Sequence, residues 1–125
     1  MSASVGDWQA QDFCYVTTTG RRTGNPHQIE IWFGGDGGTI YLLSGGGDRS
    51  DWVKNLRADP SVRVRIGDRE WQARARVVED RGEDARARRL LAAKYQSWKE
   101  GKPMSGWAAT ALPIAIDLET EGADR

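Results

Sequence analysis

Two arginines and a threonine stand between two glycines in Gly20-Arg21-Arg22-Thr23-Gly24. A turn of that composition gathers two fixed cations, a hydroxyl and backbone N–H groups at one point. Its natural guest is a phosphate or another compact anion. The same residues also read as a solvated hairpin turn with incidental arginines. A second glycine-bearing stretch runs Ser44-Gly45-Gly46-Gly47-Asp48-Arg49-Ser50-Asp51-Trp52 and continues to Asn55-Leu56. Glycines after a buried strand let a ligand approach the backbone closely, and a helix opening at Asp51 adds N–H donors. Trp52 and Asn55 are three apart, so an indole and an amide share one helix face and suit the edge of a flat heterocycle. The alternative is that Trp52 and Leu56 dock the helix on the core while Asn55 caps locally.

Other chemistries find little support. Cys14 is the only cysteine and lies in an apolar segment, which fits a small buried hydrophobe better than a nucleophile. His27 is the only histidine, with no G-x-S-x-G elbow and no metal-ligand spacing around it, so no metal is expected. Lysine plus arginine equals aspartate plus glutamate, 18 against 18. That balance argues against a nucleic-acid partner. No apolar run reaches the length of a bilayer span, and the first residues lack a signal-like core. The chain is expected to be soluble and cytoplasmic, without an integral membrane segment.

The elements that must position these residues follow from periodicity. Asp12 to Thr18, Gln28 to Phe33, Thr39 to Ser44, Val62 to Ile66, Glu70 to Val78 and Leu112 to Leu118 read as strands. Gly34 to Gly38 reads as a hairpin turn. Thr39 to Ser44 is almost wholly apolar, which predicts a central strand. Ser50 is placed to cap a short helix from Asp51 to Ala58. A long amphipathic helix is predicted from Glu83 to Glu100, stopped by Gly101, with Ala87, Leu91, Tyr95 and Trp98 on its apolar side. Met104 to Thr110 reads as a further turn of helix. About six mainly antiparallel strands with one short and one long helix make an α+β domain, one domain over residues 1–125, and hairpin-linked strands of this kind commonly close into a small barrel. Arg63, Arg65, Arg74 and Arg76 share a strand face. A solvated surface balanced by Glu79, Asp80, Glu83 and Asp84 explains them better than a nucleic-acid stripe.

The string Thr17-Thr18-Thr19-Gly20-Arg21-Arg22-Thr23-Gly24-Asn25-Pro26 resembles the first signature of the deazaflavin-dependent nitroreductase family. Asp51-Trp52-Val53-Lys54-Asn55-Leu56 followed by Asp59-Pro60-Ser61-Val62 resembles the second, in the same order and spacing. These proteins are coenzyme F420-dependent reductases on a split β-barrel. The resemblance implies that Arg21, Arg22 and Thr23 hold the cofactor's phosphodiester and glutamate tail. It implies that Leu42, Leu43, Ser44, Gly46, Trp52, Asn55 and Leu56 border the deazaflavin, with Trp32 near the ring. Three positions depart from the pattern: His27 stands for an arginine, Gly45 for a lysine and Asp51 for a proline. Arg49, in a shortened loop, is the cation available in place of that lysine.

Coenzyme F420 is therefore the expected cofactor, with FMN the alternative. The expected reaction is hydride transfer from reduced deazaflavin to a small electron-poor acceptor: an activated alkene, a quinone or a nitroaromatic. The acceptor pocket is expected to be closed by Tyr95, Trp98, Met104 and Trp107, with Tyr95 the candidate catalytic proton donor. A non-catalytic flavin, deazaflavin or haem binder of the same fold is the rival reading, and a homodimer is the possible assembly.

Overall fold

The structure is a computed structural model, and residues 8–122 are described. Seven strands form a single antiparallel sheet: β1 (Cys14–Thr19), β2 (Pro26–Ile31), β3 (Gly34–Asp36), β4 (Thr39–Ser44), β5 (Ser61–Ile66), β6 (Arg69–Val77) and β7 (Leu112–Glu121). Their order across the sheet is β2-β1-β5-β6-β7-β4-β3. The helices are α1 (Asp51–Ala58), α2 (Arg81–Gln96) and α3 (Gly106–Thr110), and a 3-10 turn spans Gly47–Arg49. The sheet curls over its main core and carries a second, smaller cluster against α2, in the split-barrel α+β arrangement expected.

Strand alternation decides what faces that core. Val16 and Cys14 of β1, Val62, Val64 and Ile66 of β5, and Trp71, Ala73 and Ala75 of β6 all turn inward. Trp8 closes the cluster, its ring 6.3 Å from Phe33 and 5.2 Å from Trp71. Cys14 is wholly buried, and burial pushes its thiol pKa up to about 12. It is a packing residue, as its apolar surroundings predicted.

β4 is apolar throughout for a reason other than a central position. It lies next to the edge strand β3, yet both of its faces are covered. Ile40 and Leu42 enter the barrel core, while Tyr41 and Leu43 face a second cluster with Ala87 and Leu91 of α2 and Ala115 of β7. A core on one face and a helix on the other leave no solvated side, so the strand reads as a continuous apolar run although it is not central.

Several boundaries differ from the sequence reading by a few residues, β2 running Pro26–Ile31 where Gln28 to Phe33 was expected, and two of the differences have a clear cause. Gly34–Asp36, expected as turn, pairs with Thr39–Tyr41 as a short strand, so the turn shrinks to Gly37 and Gly38, with Gly37 at φ +64°. Glycine is what lets the chain reverse there. The long helix ends at Gln96, not beside Gly101, because Ser97 adopts a left-handed φ of 54° and the Trp98 N–H returns to the Ala92 carbonyl. Trp98 then lies outside the helix, its Nε1 donating to the Lys102 carbonyl at 2.7 Å.

Candidate functional site

The arginine turn joins β1 to β2, and its shape depends on two glycines. Gly24 has φ +78°. A Cβ on Gly20 would come within 2.7 Å of His27 Nε2, so only glycine lets the imidazole lie against the turn. Within the turn, the Gly24 N–H donates to the Gly20 carbonyl at 2.8 Å and the Asn25 N–H to Thr23 Oγ1 at 3.1 Å.

Across from the turn stands α1. Ser50 occupies its N-cap position, but the hydroxyl does not cap. It lies 3.1 Å from the Ser44 hydroxyl, which also donates to the Gly47 carbonyl at 2.9 Å. This bridge draws the glycine loop tight, and a Cβ on Gly46 would meet Ser50 Oγ at 2.5 Å. α1 then presents Trp52 and Asn55 toward the turn.

Asn55 is the brace between the two motifs. It is 4 % exposed. Its Oδ1 accepts from the Arg21 backbone N–H at 3.2 Å and from Arg21 Nη1 at 2.8 Å, and its Nδ2 donates to Thr18 Oγ1 at 3.3 Å. Arg21 Nη2 also reaches Asp51 Oδ1 at 3.3 Å. The local-cap reading of Asn55 is thus replaced by a long-range one: its side chain joins residues more than thirty positions away.

The turn and the helix bound one groove of about 410 Å³, lined by Gly20, Arg21, Arg22, Thr23, His27, Gln28, Ile29, Asp51, Trp52 and Asn55. A second hollow of about 450 Å³ lies farther along β2, lined by Phe13, Glu30, Ile31, Trp32, Leu43, Gln96 and Trp107. The two share a strand: β2 gives Gln28 and Ile29 to the first and Glu30 and Ile31 to the second. Trp32 is the wall of the second. Its indole stacks on the Tyr95 ring at 4.4 Å and 2°, and meets Trp107 edge-on at 5.3 Å.

The Tyr95 hydroxyl is occupied by backbone. It accepts from the Phe33 N–H at 3.0 Å and lies 2.8 Å from the Asp12 carbonyl and 2.9 Å from the Phe33 carbonyl. Burial is the main cause that lifts its pKa to about 12. Lys94 assists from the next position, donating to the carbonyls of Gln9, Gln11 and Phe33 at 3.0, 2.7 and 3.0 Å. Desolvation lowers the ammonium's pKa.

The expected site residues fall into groups. Arg21, Arg22, Thr23, Trp52 and Asn55 meet in the first groove, and Trp32 and Leu43 line the second hollow. Ser44 and Gly46 shape the loop leading to α1. Leu42 and Leu56 are in the core, at 0 % and 2 % exposure, and line neither the groove nor the second hollow. Arg49 is exposed and lies outside both linings. Of the aromatics expected around an acceptor, Trp107 is in the second hollow and Trp98 lines a different one with Arg89. Gln28, Ile29, Glu30, Ile31, Phe13 and Gln96 line the site without having been singled out. For the first four the available signal was β2 itself, which leaves the arginine turn directly.

The site suits an elongated redox cofactor on this structure's own terms. Guanidinium groups stand at one end, and an indole and Ile29 give an apolar wall beyond them. Among the described residues no cluster of three or more His, Cys, Asp or Glu is placed to hold a metal.

The curled seven-stranded sheet with its flanking helices is a split barrel. The profile of the F420H(2)-dependent quinone reductase family matches residues 2–119, and the chain belongs to that family. It is an F420-dependent oxidoreductase, and its cofactor is coenzyme F420.

Solved structures place the fold. The F420-H2 dependent reductase FDR-A is 24 % identical over 85 % of this chain and 93 % of its own, with TM-score 0.64. A FAD-binding protein from Mesorhizobium loti is 16 % identical over 97 % and 96 %, at TM-score 0.67. The haem storage protein HutZ from Vibrio cholerae is 13 % identical over 94 % and 92 %, at TM-score 0.71. Identities this low establish the architecture alone, and the same barrel carries different prosthetic groups.

Proposed function

We propose that this chain delivers the two electrons of reduced F420 to a small, flat, electron-poor acceptor held in the Trp32 hollow: a quinone, an activated alkene or a nitroaromatic. The observation that carries the proposal is the convergence of the arginine turn and Trp52 on one groove. Reduced F420, when bound, supplies a hydride equivalent.

The residues of the chain supply position and surroundings. Arg22 and Thr23 hold the phosphate and carboxylate end through charge-assisted and hydroxyl hydrogen bonds. Arg21, already engaged by Asn55 and Asp51, sets the shape of the turn and adds field. Trp52 and Ile29 border the ring. Trp32, Leu43 and Trp107 give the acceptor an apolar, aromatic seat in which orientation and exclusion of water lower the barrier.

Tyr95 is assigned a positioning role in place of proton donation. Its hydroxyl is held at Asp12 and Phe33, and its ring fixes the Trp32 indole. The proton that completes the reduction enters as water, past the polar rim of Glu30 and Gln96.

Mixing the protein with reduced F420, with and without menadione, tests the reading by the return of the oxidised-F420 absorbance. Menadione-dependent oxidation supports it. Binding with no oxidation by any of the three acceptor classes would make the chain a carrier of the cofactor.

A further inference from the structure

Behind the arginine turn, on the outer face of the sheet, cross-strand register sorts the side chains into rows. One row runs Glu30–Tyr15–Arg65–Glu70, and Arg65 lies over the Tyr15 ring at 4.2 Å. Another runs Ser61–Arg74–Asp117. In both, cations stand beside carboxylates. Between them lies Gln28–Thr17–Arg63–Gln72. That row contains no carboxylate, and Arg63 has no ion-pair or hydrogen-bond partner among the described residues.

Arg63 also lines a hollow of about 340 Å³ with Thr17, Thr19, Gly24, Ser61 and Gln72. Its lining offers one guanidinium, an amide and four hydroxyl-bearing residues, of which Thr18 is already engaged by Asn55, beside the apolar Pro26 and Val62 and with no aromatic group. Such a set binds a carboxylate or phosphate oxygen and gives a ring nothing to stack on. Gly24 belongs to the turn whose other residues bound the cofactor groove, and Gln28 belongs both to that groove and to the Arg63 row. An anionic chain leaving the groove over this turn reaches Arg63 next.

We propose that the Arg63 hollow is a second anion subsite, which takes a distal carboxylate of the F420 glutamate tail. This rests on the F420 reading of the main groove and extends it: the turn is a saddle, with the proximal anions on the Arg22 side and a distal one on the Arg63 side. Because Arg63 is exposed, the contact weakens with salt.

The test is fluorescence titration of F420 bearing one glutamate and F420 bearing several, against the wild-type protein, Arg63→Ala and Arg63→Lys. In low salt the longer tail is expected to bind the wild type about tenfold more tightly, as one charge-assisted hydrogen bond permits. Arg63→Ala should erase that difference and leave the one-glutamate affinity unchanged, while Arg63→Lys should keep part of it. Equal tail-length dependence in wild type and Arg63→Ala, or no dependence in the wild type, would overturn the subsite and leave the main groove standing. Failure of both forms to bind the wild type would overturn the two readings together.

Discussion

Arg21 and Asn55 are joined twice, once through the arginine's backbone N–H at 3.2 Å and once through its guanidinium at 2.8 Å. One buried carboxamide thereby fixes both where the turn runs and where its first cation points. The geometry of the cofactor groove depends on this pair, because nothing else among the described side chains hydrogen-bonds the turn to α1 except the exposed contact of Arg21 with Asp51.

Asn55→Ala removes an acceptor used twice and strands the Arg21 N–H and the Thr18 hydroxyl. Loss of such a partner costs about 1–3 kcal/mol, and a denaturation midpoint shift of that size is expected. F420 affinity should fall with it. Asp51→Ala should change stability by less than about 1 kcal/mol, since the Asp51 side chain is 86 % exposed. Equal effects of the two substitutions on urea unfolding would show that the brace is not Asn55.

Tyr95→Phe separates positioning from proton delivery. The ring stack on Trp32 survives, and the hydroxyl bridge to Phe33 and Asp12 is lost. The expected result is a raised KM for the acceptor with kcat within about threefold and an unshifted pH profile. A fall in kcat of a hundredfold or more, with the basic limb of the profile removed, would restore Tyr95 as the proton donor.

Glu83, like Asp117 beside the same arginine, ties part of the fold's stability to pH. The Arg76 guanidinium holds it through paired bonds of 2.8 Å, with the Tyr41 hydroxyl adding a third at 2.7 Å, and these bring its pKa from the usual 4.5 to about 2. A depressed carboxylate stabilises the fold fully above its unfolded pKa and loses that contribution as pH falls through the folded value. Melting temperatures of wild type and Glu83→Gln should differ most at neutral pH and converge between about pH 4.5 and 2. A gap that stays constant over that window would count against the ion pair.

Much of the site was legible because turns and helix starts carry local signatures. Gly20 and Gly24 bracket the arginines, and Asp51 to Ala58 was readable as a helix to the residue. Leu42 shows the limit. Leu42 and Leu43 are adjacent, yet strand alternation sends one into the core and the other to the hollow, and a strand apolar on both faces does not say which. Asn55 shows another: its partners, Thr18 and Arg21, are distant in sequence, and no local rule announces a contact of that range. The end of α2 was missed for a third reason, since a left-handed Ser97 takes the place that glycine usually fills. Arg76 and Glu83 were grouped correctly as neighbours on a solvated face, whereas Asp117, which also binds Arg76, comes from the far end of the chain.

The thiol of Cys14 offers a check on the packed state. Wholly buried and raised to a pKa of about 12, it should resist an aromatic disulfide reagent in the native protein at pH 8 and react at once in denaturant. Fast native labelling would show that the barrel opens around β1.

The central claim is that the arginine turn and α1 clasp F420 together, and titration of F420 fluorescence with wild type, Arg22→Ala and Trp52→Leu, each checked for a native melting transition, tests it most directly. The account predicts that Arg22→Ala weakens binding about tenfold or more, in line with a charge-assisted hydrogen bond of about 1.5–3 kcal/mol, and that Trp52→Leu weakens it as well while leaving its salt dependence intact. Wild-type affinity in both folded variants would contradict it.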